Sequence, residues 1–272
     1  MAELSGKRAL ITGGSGGIGA AIARVLAGHG VDLVLAGRRR AGLDEVAAAC
    51  AGRVRVTTIV NDLGAPGGAE RLWTEARGQG PIDILINNAG FGYFRPFERV
   101  EWARDAELLQ LNILSLVELS RRFVADRLPA AAPAYLVNIA SLAAYQAVPN
   151  MAVYASSKAF VRNFTEALHD ELRATPVRVT CVCPGGTETN FHAAAGAGDY
   201  GWLANASMMS ADAVARIAVD AMRKNKRNVV PGLLNKLAAW SIRLVPRRIA
   251  SLSSSRVLGA PKAAALPERS VP

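Results

Sequence analysis

Three side chains with complementary proton chemistry lie near the middle of the sequence. Tyr154 and Lys158 are four residues apart in the segment VYASSKAFVRNF, so a helix would present both on one face. A lysine cation beside a phenol favours the phenolate, which matters because a free tyrosine, with a pKa of about 10, is a weak base near neutral pH. Ser141 directly follows an apolar run and could place a hydroxyl near the phenol to steady a substrate oxygen. Together they predict a proton-transfer site, although each residue alone is also common in ordinary structure.

A glycine-rich segment near the N-terminus has the composition of a phosphate-binding turn. The apolar run 8–12 leads directly into GGSGGIG, and a helical pattern begins there. Glycines let the backbone approach a pyrophosphate closely, and the first N–H groups of a helix attract anions. A glycine cluster alone can be merely a flexible turn, but the strand before it and the helix after it favour binding. The predicted contacts are Gly13, Ser15, Gly17, Ile18 and Gly19.

Arginines follow the next predicted strand, 31–35, where many dinucleotide sites carry an acid. An Asp or Glu at this point binds the ribose hydroxyls of NAD, whereas a basic residue suits the 2′-phosphate of NADP. The chain has Arg38 and Arg39 here, and its Asp32 lies at the opposite end of the strand. The two arginines therefore predict NADP as the cofactor. A solvent-exposed run of charge is the alternative.

The elements that must position these residues alternate along the chain. Predicted strands cover 8–12, 31–35, 54–59, 82–86, 135–139 and 177–182, and predicted helices cover 17–29, 40–50, 67–78, 99–127 and 151–173. Several strands are almost continuously apolar, as strands covered on both faces by helices should be. Right-handed crossovers then favour an α/β fold: a single Rossmann-like, doubly wound domain with a parallel sheet of about seven strands flanked by helices.

The motifs taken together resemble the short-chain dehydrogenase/reductase family, NAD(P)-dependent enzymes of the Ser-Tyr-Lys type. They are TGGSGGIG at 12–19, NNAG at 87–90, Asn112, Ser141, YASSK at 154–158 and PGGTET at 184–189. The resemblance extends from residue 7 to about residue 190. It implies a catalytic tetrad of Ser141, Tyr154, Lys158 and Asn112, in which Asn112 supports a water-linked proton path to the lysine.

The resemblance also implies contacts along the cofactor. Asp62 would lie near the adenine, and Lys158 would also bind the nicotinamide ribose. The cofactor cleft would be lined by Asn88, Ala89 and Gly90, and its nicotinamide end would be held by Pro184, Gly185 and Thr189. The glycine segment lacks the basic residue that many NADP-preferring relatives carry there, so the predicted preference depends on Arg38 and Arg39.

We therefore expect an NADPH-dependent oxidoreductase that reduces a carbonyl or oxidises a secondary alcohol. A catalytically silent dinucleotide-binding regulator is the alternative, since fold alone does not prove function. A sugar-nucleotide epimerase would need a larger substrate domain than the segment after Pro184 provides. Residues that predict an apolar substrate pocket, or alternatively belong to the core, are Phe91, Tyr93, Phe94, Phe97, Tyr145 and Met151.

Charge and composition limit the possible partners. The formal net charge is +10, but residues 221–272 contain eleven Lys/Arg and one acid, so residues 1–220 are neutral overall. This distribution argues against a nucleic-acid partner. The three cysteines, Cys50, Cys181 and Cys183, and the three histidines show no metal-ligand spacing, so we expect free thiols and no metal. With no secretory or membrane-spanning segment in the sequence, a cytoplasmic protein is expected.

The C-terminal part is expected to differ from the rest. Residues 1–230 should form the catalytic domain, with an apolar flap at 190–210, and residues 231–272 a basic amphipathic helix followed by a flexible tail. Leu233, Leu237, Trp240 and Leu244 recur at helical spacing. This stripe indicates either packing on the domain or on a partner subunit, or peripheral contact of 233–248 with a membrane surface. The resemblance implies a homodimer or homotetramer formed through 99–127 and 151–173.

Overall fold

Seven parallel strands form the central sheet of the chain. A computed structural model describes residues 4–130, 132–189, 207–242 and 244–246. The strands are β1 (Arg8–Thr12), β2 (Asp32–Gly37), β3 (Val56–Val60), β4 (Ile84–Asn87), β5 (Ala134–Ile139), β6 (Val177–Val182) and β9 (Asn228–Val229). Their order is β3-β2-β1-β4-β5-β6-β9, and every neighbouring pair is parallel. The predicted doubly wound parallel sheet is confirmed.

The described chain has eight α-helices, and six of them cover the two faces of this sheet. The eight helices are α1 (Gly17–Gly28), α2 (Arg40–Cys50), α3 (Gly68–Gly78), α4 (Trp102–Leu109), α5 (Leu116–Arg127), α6 (Ala152–Glu171), α7 (Ala211–Arg223) and α8 (Leu233–Ser241). One apolar core joins α1, α2 and α7 to the sheet, and a second joins α3, α5 and the end of α6 to the opposite face. The central strands β4 and β5 are buried along their whole length because helices cover both of their faces.

The strand order reverses between β1 and β4. In open parallel sheets, ligands bind at the carboxyl ends of the strands where the order reverses. The loop after β1 and the loop after β4 leave the sheet at this point, and Leu10 lies in register with Leu85. Because these two loops carry the glycine segment and NNAG, the sheet brings two predicted motifs together.

The predicted helix 99–127 is broken into several parts. A single 3₁₀ turn covers Phe97–Arg99, and a π-helical turn, Gln110–Ser115, separates α4 from α5. Inside this wide turn the Ser115 hydroxyl donates to the Leu63 carbonyl, with an oxygen–oxygen distance of 2.6 Å. Such single turns insert an extra residue into a helix and are common at functional sites. The turn places Asn112 in a buried position.

The chain between β6 and β9 includes one further pairing. The short strands β7 (Thr187–Glu188) and β8 (Met209–Ser210) are parallel to each other. Ser210 caps α7, because its hydroxyl accepts the Ala213 N–H at 3.3 Å. Most of the predicted flap, residues 190–206, lies outside the described residues. Within the described chain, no helix combines the length and hydrophobicity needed to cross a membrane.

Candidate active site

The glycine segment is locked against the loop that follows β4. The Asn88 amide nitrogen donates to the carbonyls of Thr12 and Gly13 at 3.0 and 3.2 Å. The Thr12 hydroxyl accepts the N–H groups of Asn88 and Ala89, each at 3.0 Å. A Cβ atom at Gly19 would lie 2.4 Å from the Gly13 carbonyl oxygen. A glycine is therefore required at position 19 to let α1 approach the end of β1.

The beginning of α1 fits a phosphate group. Its N-cap residue, Gly16, has no side chain that could cap the first N–H groups, and the first turn contains no acid. The first N–H groups of a helix lack partners within the helix, so an anion placed here would satisfy them. Thr189 lies on the other side of this turn, because a Cβ at Gly17 would be 3.2 Å from its methyl group. The residues present thus fit the pyrophosphate of a dinucleotide.

The three arginines after β2 have different contacts. Arg39 lies beside the glycine segment, with its Nη2 3.5 Å from the Ser15 carbonyl oxygen. Arg38 pairs with Glu107 at 3.2 Å, and Arg40 donates to the Thr58 hydroxyl at 2.9 Å. Arg39 is therefore the arginine whose charge lies closest to the predicted phosphate site. Asp32, at the far end of β2, pairs with Arg55.

Glu107 and Arg104 join Arg38 to the loop after β4, and neither residue was predicted from the sequence. The Glu107 carboxylate accepts from Arg104 at 2.7 Å as well as from Arg38. The Arg104 guanidinium in turn lies 4.0 Å from the centre of the Phe91 ring. Asp62 is nearby, since a Cβ at Gly64 would be 3.1 Å from its Oδ1 and 3.3 Å from the Glu107 side chain. The i, i+3 spacing of Arg104 and Glu107 is the only sequence signal for this pair.

Lys158 is a buried cation beside Tyr154. Both residues lie on α6, and the Lys158 Nζ is 5.9 Å from the centre of the Tyr154 ring. The Nζ donates to the Ile139 carbonyl, the last of β5, at 2.9 Å. Burial lowers the pKa of Lys158 to about 8. Lys158 therefore still carries a proton at neutral pH, in a position to act on the phenol.

Asn112 and Gly90 complete the surroundings of the lysine. A Cβ at Gly90 would lie 3.0 Å from the Asn112 Oδ1 and 3.3 Å from the Lys158 Nζ, so only a glycine leaves both undisturbed. Asn112 accepts the Phe91 N–H at 3.2 Å and donates to the Phe91 carbonyl and the Ser157 hydroxyl at 3.0 and 3.1 Å. The amide thus fixes the loop after β4 against α6.

Ser141 lies two residues beyond β5. Its Oγ accepts the Ala143 N–H at 3.1 Å and caps the 3₁₀ turn Leu142–Tyr145. Because that bond uses an oxygen lone pair, the hydroxyl hydrogen stays available for donation. Ser141 and the Ile139 carbonyl that binds Lys158 come from the same strand end. The end of β5 therefore positions both the Ser141 hydroxyl and the Lys158 ammonium.

Only part of the predicted apolar pocket surrounds Tyr154. Phe91 and Met151 pack in one apolar cluster with the Tyr154 ring. Tyr93 is buried beside them, and its hydroxyl donates to Asp105, whose pKa is raised by burial. Tyr145 points elsewhere, because its hydroxyl donates to Asn228 at 3.1 Å. The structure also buries Phe94 and exposes Phe97.

The predicted nicotinamide end is held by a residue of α8. A Cβ at Gly185 would lie 2.4 Å from the Asn235 Oδ1. The Asn235 amide nitrogen donates to the carbonyls of Pro231 and Ser207 at 3.0 and 3.2 Å, and the side chain is buried. Asn235 therefore fastens α8 to the loop that follows β6. The sequence pattern predicts a helix here but gives no sign of this role for Asn235.

Comparison with known proteins identifies the family of the chain. A family model for short chain dehydrogenases matches residues 7–199. The chain is 37% identical to sulfoacetaldehyde reductase 2 of Chromohalobacter salexigens over 184 residues, which cover 67% of this chain and 73% of the relative. The chain therefore belongs to the short-chain dehydrogenase family of oxidoreductases, which act on CH–OH or carbonyl groups.

Solved structures extend the similarity to most of the chain. A short-chain dehydrogenase from Sphingobium yanoikuyae in complex with NADPH superposes with a TM-score of 0.78 at 28% identity, covering 95% of this chain and 100% of that one. A 3-ketoacyl-(acyl-carrier-protein) reductase from Brucella melitensis complexed with NADH gives 0.71 at 25% identity, covering 84% and 98%. Similar chains thus bind a nicotinamide dinucleotide, with or without the 2′-phosphate.

Proposed function

We propose that the chain transfers a hydride between NADPH and the carbonyl or alcohol carbon of an apolar small molecule, with Tyr154 as the general acid or base. The observation that carries this proposal is the buried Lys158 ammonium, 5.9 Å from the Tyr154 ring centre and fixed by the end of β5 next to Ser141. A buried cation is costly, so its position beside a phenol indicates a role in proton transfer. The silent-regulator alternative does not require this arrangement.

In the reducing direction, the Tyr154 hydroxyl gives its proton to the carbonyl oxygen as the carbonyl carbon accepts the hydride. The Lys158 ammonium stabilises the tyrosinate that forms. Ser141 donates its hydroxyl hydrogen to the same carbonyl oxygen and orients it. The alcohol leaves, and Tyr154 regains a proton from solvent. Oxidation uses the same residues in reverse, with tyrosinate as the base.

NADPH supplies the hydride when bound. Its pyrophosphate would lie at the start of α1, and Lys158 would also reach the nicotinamide ribose. Arg39 would bind the 2′-phosphate, since its guanidinium already lies beside the Ser15 carbonyl. Arg38 would join it by exchanging part of its contact with Glu107. Phe91 and Met151 would present an apolar surface to the substrate beside the Tyr154 ring.

The test of catalysis compares two tyrosine variants on a panel of aldehydes and ketones. Tyr154→Phe removes the transferable proton and should lower kcat by about 10²- to 10⁴-fold, the usual contribution of a general acid. NADPH binding, measured by fluorescence titration, should persist. The matched control is Tyr145→Phe, which removes a buried hydroxyl bonded to Asn228 and should keep near-native kcat. Near-native turnover by Tyr154→Phe would refute the mechanism, and no NADPH oxidation by the native protein with any substrate would favour the silent regulator.

The test of cofactor preference uses the three consecutive arginines. Arg38→Asp and Arg39→Asp should each shift the kcat/KM ratio of NADPH to NADH towards NADH. The expected shift is roughly tenfold to a hundredfold, because a hydrogen bond to a charged group contributes about 1.5–3 kcal/mol. Arg40→Asp is the matched control, because Arg40 contacts Thr58 and should leave the ratio unchanged. Equal use of both cofactors by the native protein, or equal shifts in all three variants, would overturn the assignment.

A further inference from the structure

The helix α8 is attached to the domain by its small and polar residues and turns its large apolar residues outward. Asn235 and Ala239, one turn apart, are 2% and 5% exposed. Leu233, Leu237 and Trp240 are 74%, 54% and 59% exposed. At about 100° per residue these three side chains fall within roughly 60° of one another, opposite the buried pair. Within the part of the chain that the structure describes, the stripe therefore does not pack on its own domain, which was one of the alternatives left by the sequence.

The apolar surface of α8, defined as Leu233, Leu237, Trp240 and Leu244, is set in a strongly basic segment. Leu244 follows the helix and is also exposed. The exposed Lys236 belongs to α8 itself. From residue 231 onward the chain has seven Lys/Arg and one Glu. The combination of an exposed leucine and tryptophan stripe with neighbouring cations is typical of helices that lie in the interface of an anionic bilayer.

A second copy of the chain is a less suitable occupant for this surface. Two α8 helices packed stripe to stripe would bring two basic segments of equal charge together, with a single acid in each segment to compensate them. Like charges placed opposite one another oppose association. An anionic lipid surface removes this repulsion and accepts the apolar residues in its hydrocarbon boundary.

We propose that the apolar surface of α8 docks on anionic lipid membranes. Trp240 and the leucines insert at the headgroup boundary, and Lys236 contacts the lipid phosphates and carboxylates. Docking brings the site close to the bilayer, because Asn235 on the opposite face of α8 contacts Gly185 in the loop after β6. The membrane interaction does not depend on turnover, so it stands or falls separately from the proposed function.

A flotation experiment with the full chain tests the docking. Phosphatidylcholine vesicles with and without phosphatidylserine are mixed with the protein at low salt and at about 1 M salt, where the Debye length is about 3 Å. We expect binding to the phosphatidylserine vesicles at low salt, and its loss in high salt or without phosphatidylserine. Equal binding to both kinds of vesicle, or no binding at low salt, would overturn the proposal.

Two pairs of variants locate the contact. The double variant Leu237→Ser with Trp240→Ser should reduce vesicle partitioning by at least about tenfold, since it removes two large side chains from the interface. The matched control is Trp102→Ser, which removes a 74% exposed tryptophan on α4 and should bind like the native protein. Lys236→Ala should weaken partitioning by roughly fivefold, as expected for one cation near an anionic surface, whereas the exposed Lys226→Ala should not.

Other outcomes would assign the surface differently. Light scattering gives the mass of each variant in solution, and circular dichroism verifies its fold. A smaller mass for the Leu237/Trp240 variant, without a change in vesicle binding, would show that a second copy covers α8. Another basic surface lies at the start of β6, and vesicle binding that is lost on neutralising it instead would also overturn the proposal. That surface is formed by Arg173, Arg178, Arg223 and Lys224.

Discussion

The lowered pKa of Lys158 makes the stability of the protein depend on alkaline pH in a defined direction. Burial lowers this pKa from the ordinary 10.5 to about 8. Between these two values the unfolded chain binds more protons at this lysine than the folded chain does, so stability rises with pH in this window. Below about pH 8 the folded protein carries the full cost of the buried charge. Above about pH 10.5 the lysine is neutral in both states and the cost disappears.

The variant that isolates this effect is Lys158→Met. One pKa unit corresponds to about 1.4 kcal/mol, so the interval from 10.5 to about 8 corresponds to about 3 kcal/mol. The native protein should therefore gain about 3 kcal/mol of stability relative to Lys158→Met as the pH rises from 8 to 10.5. The lost hydrogen bond to the Ile139 carbonyl adds a constant to the comparison and does not alter the slope.

Urea unfolding without added dinucleotide, at several pH values between 8 and 10.5, measures the difference between the two proteins. Other groups also titrate in this range, and comparison at the same pH cancels those that do not interact with Lys158. Both proteins therefore also carry Tyr154→Phe, so that the neighbouring phenol makes no contribution. Lys226→Met, which removes an exposed lysine, is the matched control, and its difference from the native protein should stay constant. A constant difference for Lys158→Met, or one that favours the variant as pH rises, would refute the buried-cation argument.

Two glycine substitutions test the close approaches in the site. Gly19→Ala should weaken dinucleotide binding at least about tenfold, because its Cβ would lie 2.4 Å from the Gly13 carbonyl oxygen. The control Gly28→Ala, in the same helix, meets nothing within 4 Å and should be neutral or stabilise the protein by up to about 1 kcal/mol. Equal dinucleotide binding by the two variants, measured by titration, would contradict the close approach at Gly19. Gly92→Ala would place a Cβ 2.5 Å from the Tyr154 ring, so it should lower kcat while NADPH binding persists. A kcat for this variant equal to that of the native protein would show that a displaced Tyr154 ring still supports turnover.

The sheet and the order of its helices could be predicted because each strand is a local apolar run bounded by turn residues. The predicted bounds of β1 and β6 match the structure, and those of β2 and β4 differ by one or two residues at each end. The break in the helix before Asn112 could not be predicted. It depends on a contact between Ser115 and the Leu63 carbonyl, which are far apart in sequence. A residue pattern read along one helix does not contain that contact.

The same distinction applies to the site. Tyr154 and Lys158 could be predicted because their spacing on one helix is a local signal. The bridge from Arg38 to Glu107 could not, since it joins two elements nearly seventy residues apart. The apolar stripe of α8 was visible in the sequence, but the pattern alone does not say which face of a helix meets the domain. Asn235 decides this, because its buried amide anchors the opposite face.

Buried amide side chains connect the layers beneath the site. Asn87 on β4 donates to Asn138 on β5 at 2.9 Å and to Ser120 on α5 at 3.0 Å, and Asn138 donates to Thr165 on α6 at 3.0 Å. An apolar core holds elements together without fixing their register, whereas each hydrogen bond of this amide network forms in one alignment of the elements only. Because Thr165 lies two turns beyond Lys158 on α6, the network sets the position of that helix along the sheet. The alignment of Lys158 with the end of β5, on which the proposed proton transfer depends, therefore rests on polar groups in the core as well as on the residues of the site.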